Sequence, residues 1–233
     1  MYILYSGPSV YDDKPIVVIA TTNSKNPKTG TMYQTWIMRQ DIAPHDAVKT
    51  NDDSSVCGMC PLRPLSYKAV GLSRGCYVKA FQAPLSVWKA YHRGNYKHIP
   101  LEEFRAILTA DQKGIRLGSY GDPASVPLSI WKSIGVGSNE FNHTGYTHAY
   151  LTPGFDKRYL DFLMLSLDPV TESVPAQFQN ARTFRVIKTV DQVRPGEIIC
   201  PASEEAGKLT NCQKCGLCAG LMSKAKNIAI VIH

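Results

Sequence analysis

Gly118-Ser119-Tyr120…Pro127-Leu128-Ser129-Ile130-Trp131-Lys132 repeats Gly75-Cys76-Tyr77…Pro84-Leu85-Ser86-Val87-Trp88-Lys89 at a constant offset of 43 residues, and Gly71 and Gly114 keep the same register. That length holds a strand, a loop and a helix, so the repeat reads as two successive βα units. Each unit has a Gly-x-Tyr turn at a strand end, then a helix with Pro in its first turn. The helices close at Gly94 and Gly135. Chance likeness of two Pro-started helices is the plain alternative, and the shared Gly and Tyr weigh against it.

Working outward, Leu101–Leu108 is a helix with Glu102 and Glu103 in its first turn, where they suit the helix dipole, and Ile115-Arg116-Leu117 is a short strand. Strands are expected at Tyr146–Leu151, Phe162–Asp168, Thr183–Ile187, Glu197–Pro201 and Asn227–Ile232, with helices over Asp156–Phe162 and Val174–Ala181. Such alternation predicts an α/β fold, a partial or open parallel β/α barrel over residues 51–233. Residues 1–50 read as a β-rich entry segment. There Pro15–Ala20 is a buried-strand run, Asn26-Pro27-Lys28-Thr29-Gly30 a turn, and Met32–Met38 the returning strand of a hairpin. Trp88 and Trp131 are expected in the core of the repeated helices.

The chemistry lies in the cysteines. Cys212-Gln213-Lys214-Cys215-Gly216-Leu217-Cys218 puts three thiols on one loop at C-x2-C-x2-C spacing, with Cys200-Pro201 upstream. Such a loop can wrap one face of an iron–sulfur cluster, with a remote cysteine closing the fourth corner. Cys200 is the natural fourth ligand. Structural zinc is the competing reading, although it usually takes two separated pairs; free buried cysteines are the third. Cys57-Gly58-Met59-Cys60-Pro61 and the distant Cys76 form a second pattern with no local fourth ligand. It either borrows Cys200 or leaves a coordination position open, which a side chain such as His148 could fill. His143 is the other histidine expected near the strand ends. Asp122, Ser166 and Asp168 are expected there as groups that bind a polar ligand or only shape turns before Pro123 and Pro169.

Seven cysteines, an odd number, exclude a full disulfide set. The N-terminal residues Met1–Pro8 lack a signal-peptide pattern, and no apolar run reaches membrane-spanning length. The expectation is therefore a cytoplasmic, reduced protein with metal-binding cysteines and no membrane partner. The net charge of +7 is local. From Ser54 to Leu101 there is no Asp or Glu, and Arg63, Lys68, Arg74, Lys79, Lys89, Arg93 and Lys97 supply the whole surplus. A basic wall lowers thiol pKa and favours anionic ligands. It also supports an alternative function, a zinc-stabilised nucleic-acid-binding module.

Taken together, Cys57-x2-Cys60-Pro61, Gly75-Cys76-Tyr77, Arg116-x-Gly118-x2-Gly121-Asp122-Pro123 and Cys200-Pro201…Cys212-x2-Cys215-x2-Cys218 resemble a group of phage-encoded proteins that are compared with radical SAM enzymes. The resemblance runs from about Cys57 to His233. It implies a radical-SAM-like partial barrel, a [4Fe–4S] cluster (one, with room for two) and a viral source. It further implies that Gly118, Ser119, Gly121 and Asp122 stand for the turn that binds the methionine end of S-adenosylmethionine. The chain lacks the C-x3-C-x2-C loop that holds the catalytic cluster in radical SAM enzymes. A redox partner or a small-molecule ligand would complete the system.

Overall fold

The computed structural model describes residues 1–22, 26–69, 75–168 and 173–232. Its elements, in chain order, begin with β1 (Tyr2–Pro8), β2 (Pro15–Thr21) and β3 (Tyr33–Arg39), followed by α1 (Pro44–Thr50), α2 (Ser54–Cys57) and α3 (Ala83–His92). Next come β4 (Lys97–His98), α4 (Leu101–Ala110), β5 (Ile115–Tyr120) and α5 (Leu128–Ser133), then the two-residue strands β6 (His143–Thr144) and β7 (Tyr146–Thr147). The chain finishes with β8 (Met164–Leu167), β9 (Thr183–Ile187), β10 (Glu197–Ile199), α6 (Cys212–Cys215) and β11 (Asn227–Val231).

Among the described residues these strands form two sheets, in the orders β4-β1-β2-β3-β5-β6 and β10-β11-β9-β8-β7. The second is parallel throughout. The first is mixed: β1–β2 and β2–β3 are antiparallel, and the β1–β4, β3–β5 and β5–β6 pairs are parallel. The fold is thus mixed α/β with two parallel-rich sheets, and no closed barrel forms among the described residues.

Why β2 lies inside its sheet follows from its sequence. Ile16 to Ala20 is an unbroken apolar run, and all five residues are fully buried. A strand covered on both faces loses the polar alternation of a half-exposed one. The expected hairpin with β3 forms and places the N-terminal segment in the middle of the larger sheet. Helix α4 covers that sheet with Phe104 and Leu108, four residues apart on one face. Phe104 meets Tyr2 and Tyr33 edge-on at 5.7 and 5.4 Å.

The two repeated helices form as α3 and α5, and both tryptophans use their indole N–H on a backbone carbonyl. Trp131 is fully buried and donates to Pro123 O at 2.8 Å; Trp88 is half-buried and donates to Arg39 O at 3.0 Å. The strands of the two units differ from the expectation. Gly75-Cys76-Tyr77 is irregular backbone, and Gly71 and Arg74 lie outside the described residues. Gly118 sits inside β5, where the pairing with β3 breaks register between Gln34 and Trp36. The Thr35 hydroxyl fills that break, donating to Arg116 O and accepting from Gly118 N. Gly118 has φ +67, and a Cβ there would stand 2.4 Å from Gly121 O, so the bulge requires glycine.

Other short elements are tighter than expected. The helices read over 156–162 and 174–181 are single 3-10 turns, Lys157–Asp161 and Ala176–Phe178. The strand read over Tyr146–Leu151 stops at Thr147 and turns into a 3-10 segment, Ala149–Leu151. Gly145 hands the chain from one sheet to the other. Its N–H bonds Cys218 O and its carbonyl accepts from Met164 N, and a Cβ there would strike Leu163 at 2.4 Å. No helix among the described residues is long and apolar enough to cross a membrane.

Candidate metal centres

The cysteines fall into two groups at opposite ends of β5. Cys57 closes α2 and Cys60 follows on a turn whose N–H bonds Cys57 O. Arg63 fixes this turn from the inside. Its guanidinium donates to Gly58 O between the two cysteines, to Asn51 O and to the buried Asp53 carboxylate at 2.6 Å. One of the seven basic residues in the acid-free window is therefore a structural ion pair. Cys76 joins through its N–H to Leu62 O, its residue exposed, with Val78 N donating to its sulfur at 3.4 Å. Burial pushes the Cys57 thiol well above its ordinary value, and the charges of Asp53, Cys60 and Cys76 add to that. Surrounding protein likewise pushes Cys76 up to about 11. The Cys57 thiol feels both Cys60 and Cys76, and the Cys76 thiol feels Cys60.

At this end of the sheet Asp122 N donates to Val56 O at 2.6 Å, which ties the Gly-rich turn to α2. The buried Asp122 carboxylate accepts from Ala124 N, from the Thr147 hydroxyl and from His148 N. Ser119 gives its hydroxyl to Gln34 Oε1 at 2.8 Å. Gly118 and Gly121 have positive φ and no room for a side chain, Gly121 lying 2.7 Å, at its would-be Cβ, from Ile37 O. All four residues of the turn thus have structural employment, and their polar groups face protein partners. His148 lies with the first cysteine group: Nδ1 is 3.3 Å from Cys60 Sγ and Nε2 is 3.3 Å from Asp168 Oδ2. Burial opposes its protonation, but Cys60, Asp168 and Asp122 outweigh burial and lift its pKa to about 10.

The other group forms where a hairpin turn, β6 and the second sheet meet. Asn211 caps α6 by accepting from Lys214 N, and Gly216, at φ +62, ends it after one turn. Cys212 N donates to Lys28 O in the turn before β3. Gln213, inside the motif, accepts from Gly114 N at 2.7 Å and donates to Gln112 O, while Asn142 donates to Gln213 O. The buried Arg182 guanidinium holds the exit of the loop by Leu217 O, Gly220 O and Lys226 O. Cys200 follows β10 and extends its ladder through N–H to Ala229 O. Burial raises Cys200 and Cys212 and takes Cys218 to about 12, and each of these three feels the charge of Cys215. Cys200, Cys212, Cys215 and Cys218 are therefore one neighbourhood, and Cys200 belongs to this group rather than to the first.

Gln213 grips the start of β5 and Val56 lies past its end, so these two anchors of the cysteine groups are a strand length apart, on the order of 15–20 Å. Between them stands Arg116, which donates to Tyr77 OH at 2.6 Å and feels Tyr77 first, then Tyr146 and Cys212. Among the described residues no group of three or more His, Cys, Asp or Glu side chains is placed so as to hold a metal ion. Thiols are soft donors, the type that thiolate-bound metal groups use.

Reading the sequence missed Arg116 as a link, and Asn142, Gln213, Arg182 and Tyr146 as supports. Gln213 carried a signal, as a polar side chain inside a ligand loop; the rest are long-range contacts. His143 is buried against Phe162 at the start of β6, at the end of β5 away from Cys57 and Cys60. Ser166 contributes its carbonyl to Tyr150 OH. A surface hollow bordered by Arg105, Lys132, Val136 and Met222 contains no cysteine. Compared with protein-family models, curated proteins and solved structures, the chain matches none of them.

Proposed function

We propose that this chain is an iron–sulfur protein, in which Cys200, Cys212, Cys215 and Cys218 hold one [4Fe–4S] cluster and Cys57, Cys60 and Cys76 serve a separate metal site. The observation that carries this reading is the sorting of seven cysteines into groups of four and three at the two ends of β5. One cluster cannot span a strand's length, so two sites follow. When bound, a cluster supplies one-electron chemistry. The chain's own part is to bind and to insulate. Asn142, Gln213 and Arg182 hold the loop, the Tyr146 hydroxyl bonds Cys218, and Arg116 and Lys28 place positive charge beside Cys212. Positive charge next to a thiolate-bound cluster favours its reduced form.

A redox role with a partner protein or small molecule in a reducing cytoplasm is the form best supported. A radical-SAM-like role, with the two sheets as walls of an open parallel barrel joined at Gly145 and a phage source, follows from the resemblance in cysteine pattern. It draws less support, since the Asp122 carboxylate is already met by three donor groups. Anaerobic purification with iron and acid-labile sulfide analysis tests the reading, and EPR of the reduced protein with and without S-adenosylmethionine tests its radical form. Iron and sulfide in equal amount are expected; stoichiometric zinc without sulfide contradicts it.

One observation favours a second reading. Tyr77 and Phe81 are 67% and 61% exposed, in a stretch of the chain that also exposes Lys68, Lys79, Lys89 and Arg93. Aromatic rings among cations are the surface of single-stranded nucleic-acid binders. Binding of an oligonucleotide that weakens steeply with salt is expected on this reading, and its absence removes it.

A further inference from the structure

Among the described residues Tyr77 and Phe81 are the only exposed aromatic side chains. An exposed tyrosine is ordinarily free to turn, and Tyr77 is not. The Arg116 guanidinium, on β5, donates to its hydroxyl at 2.6 Å. That oxygen is the one acceptor the guanidinium meets among the described residues, and no carboxylate competes for it. Backbone contacts fix the segment around the ring. Cys76 N donates to Leu62 O, and Gln82 N closes a turn on Lys79 O. Gly75 lies so close to the Tyr67 ring that a Cβ there would stand 2.8 Å from it. The stretches 60–68 and 75–82 therefore run side by side. Neither carries Asp or Glu, and neither does α3, which follows them. The cations of this part of the chain are unspent: Lys68, Lys79, Lys89 and Arg93 are exposed and form no ion pair among the described residues.

We propose that Tyr77 and Phe81 are the base-stacking platforms of a single-stranded nucleic-acid site, with Arg116 as the positioning residue that holds the Tyr77 ring by its hydroxyl. This deepens the nucleic-acid reading above and rests on it. Every base has a flat π face, so an aromatic ring binds it without regard to sequence, and one such ring strengthens binding about 5- to 150-fold. Stacking of this kind needs an unpaired base, since duplex bases already stack on one another. A ring fixed before the ligand arrives loses less freedom on binding, a gain of about 2- to 10-fold. Arg116 supplies that fixing: it grips the phenol oxygen while 67% of the residue stays exposed. Four residues separate the two rings, so their Cα atoms are at most about 14 Å apart, and one short oligonucleotide reaches both. Lys68, Lys79, Lys89 and Arg93 meet the phosphates. Four phosphates neutralised on a single strand correspond to a slope of log affinity against log salt of about −3.

The test titrates the full chain into a fluorescein-labelled 15-mer of deoxythymidine and reads anisotropy at several salt concentrations. Tyr77→Ala and Phe81→Ala should each weaken binding about 5- to 150-fold with the salt slope unchanged. Lys79→Gln should reduce the slope by about 0.7. Tyr77→Phe keeps the ring and removes only the grip, so it should weaken binding about 2- to 10-fold. Arg116→Gln should cost the same, and the two changes together no more than either alone, which a merely structural role of Arg116 would not produce. Leu209→Ala, at a 78% exposed apolar residue elsewhere in the chain, should leave affinity unchanged. Salt-dependent binding that survives Tyr77→Ala at full strength would overturn the platform and leave the nucleic-acid reading standing. So would tighter binding to a duplex of the same length, or displacement of the oligonucleotide by polyglutamate at equal charge, which would make the surface a site for acidic partners in general. Strictly additive losses in Tyr77→Phe and Arg116→Gln would overturn the positioning role. The absence of any salt-dependent binding by the unaltered chain would remove the reading and this inference together.

Discussion

Replacing Arg182 by methionine should unseat the loop that carries Cys215 and Cys218 and destabilise the whole chain. Arg182 is 7% exposed, and its guanidinium donates to three carbonyls, Leu217 O at 2.5 Å, Gly220 O at 3.2 Å and Lys226 O at 2.5 Å. Hydrogen bonds from a charged donor contribute about 1.5–3 kcal/mol each. The three are not independent, and removing the charge also lifts its desolvation cost, so the net loss falls at about 3–5 kcal/mol, the usual cost of breaking a buried charged contact. For a chain of this size that is a fall in Tm of roughly 6–20 °C. Thermal unfolding followed by circular dichroism reads the fall. Alkylation of Cys218, buried in the native chain, reads the loosening of the loop. Arg182→Lys should recover only part of the loss, because an ammonium cannot reach carbonyls that a planar fork spans. A fall of less than about 2 °C with Cys218 still protected would refute the reasoning.

Four other substitutions probe the rest of the frame. Gly118→Ala should cost about 3 kcal/mol or more, since φ +67 and the 2.4 Å approach to Gly121 O act together, whereas Gly94→Ala, at φ +72 with nothing within 4 Å, should cost only about 1 kcal/mol; chemical denaturation of both variants checks the contrast. His143 is held neutral by burial, with its pKa lowered to about 4 from 6.5. The unfolded chain takes up that proton first, so stability is full above pH 6.5 and falls as the pH drops from 6.5 to 4, by about 3 kcal/mol in total. In His143→Gln that part of the pH dependence should vanish from a denaturation series. Tyr120→Phe removes a buried hydroxyl that has no partner among the described residues, so the variant should unfold at the same or a slightly higher temperature.

What the sequence made legible was what local chemistry determines. The run Ile16–Ala20 announces a strand buried on both faces, and Pro84 and Pro127 announce helices that form. The cysteine spacing alone suggested a group of three at Cys212, Cys215 and Cys218 and a second pattern at Cys57, Cys60 and Cys76, with Cys200 able to join either. Contacts between distant residues stayed hidden. Nothing in Gly118-Ser119-Tyr120 says that Thr35 will fill a bulge in its strand. Nothing in His143–Thr147 says that the chain changes sheets at Gly145, a crossing imposed by Leu163 on its flank. The segments 157–161 and 176–178 carry too few residues for a helix to form on its own, so packing decides that they stay single turns. Asn142, Arg182 and Arg116 are ordinary polar residues in the sequence. They become supports of a site only because β6, β9 and β5 bring them to the cysteine loops.

The central claim, two separate thiolate sites, is tested most directly by counting metals in two variants. The full chain, with Cys215→Ala or Cys76→Ser, would be reconstituted anaerobically and analysed for iron, sulfide and zinc beside the unaltered protein. Cys215→Ala should lose its iron and sulfide and retain the metal bound at Cys57, Cys60 and Cys76. Cys76→Ser should lose that metal and retain iron and sulfide in full. If either substitution empties both sites, the seven cysteines serve a single centre, and the separation along β5 on which the account rests is wrong.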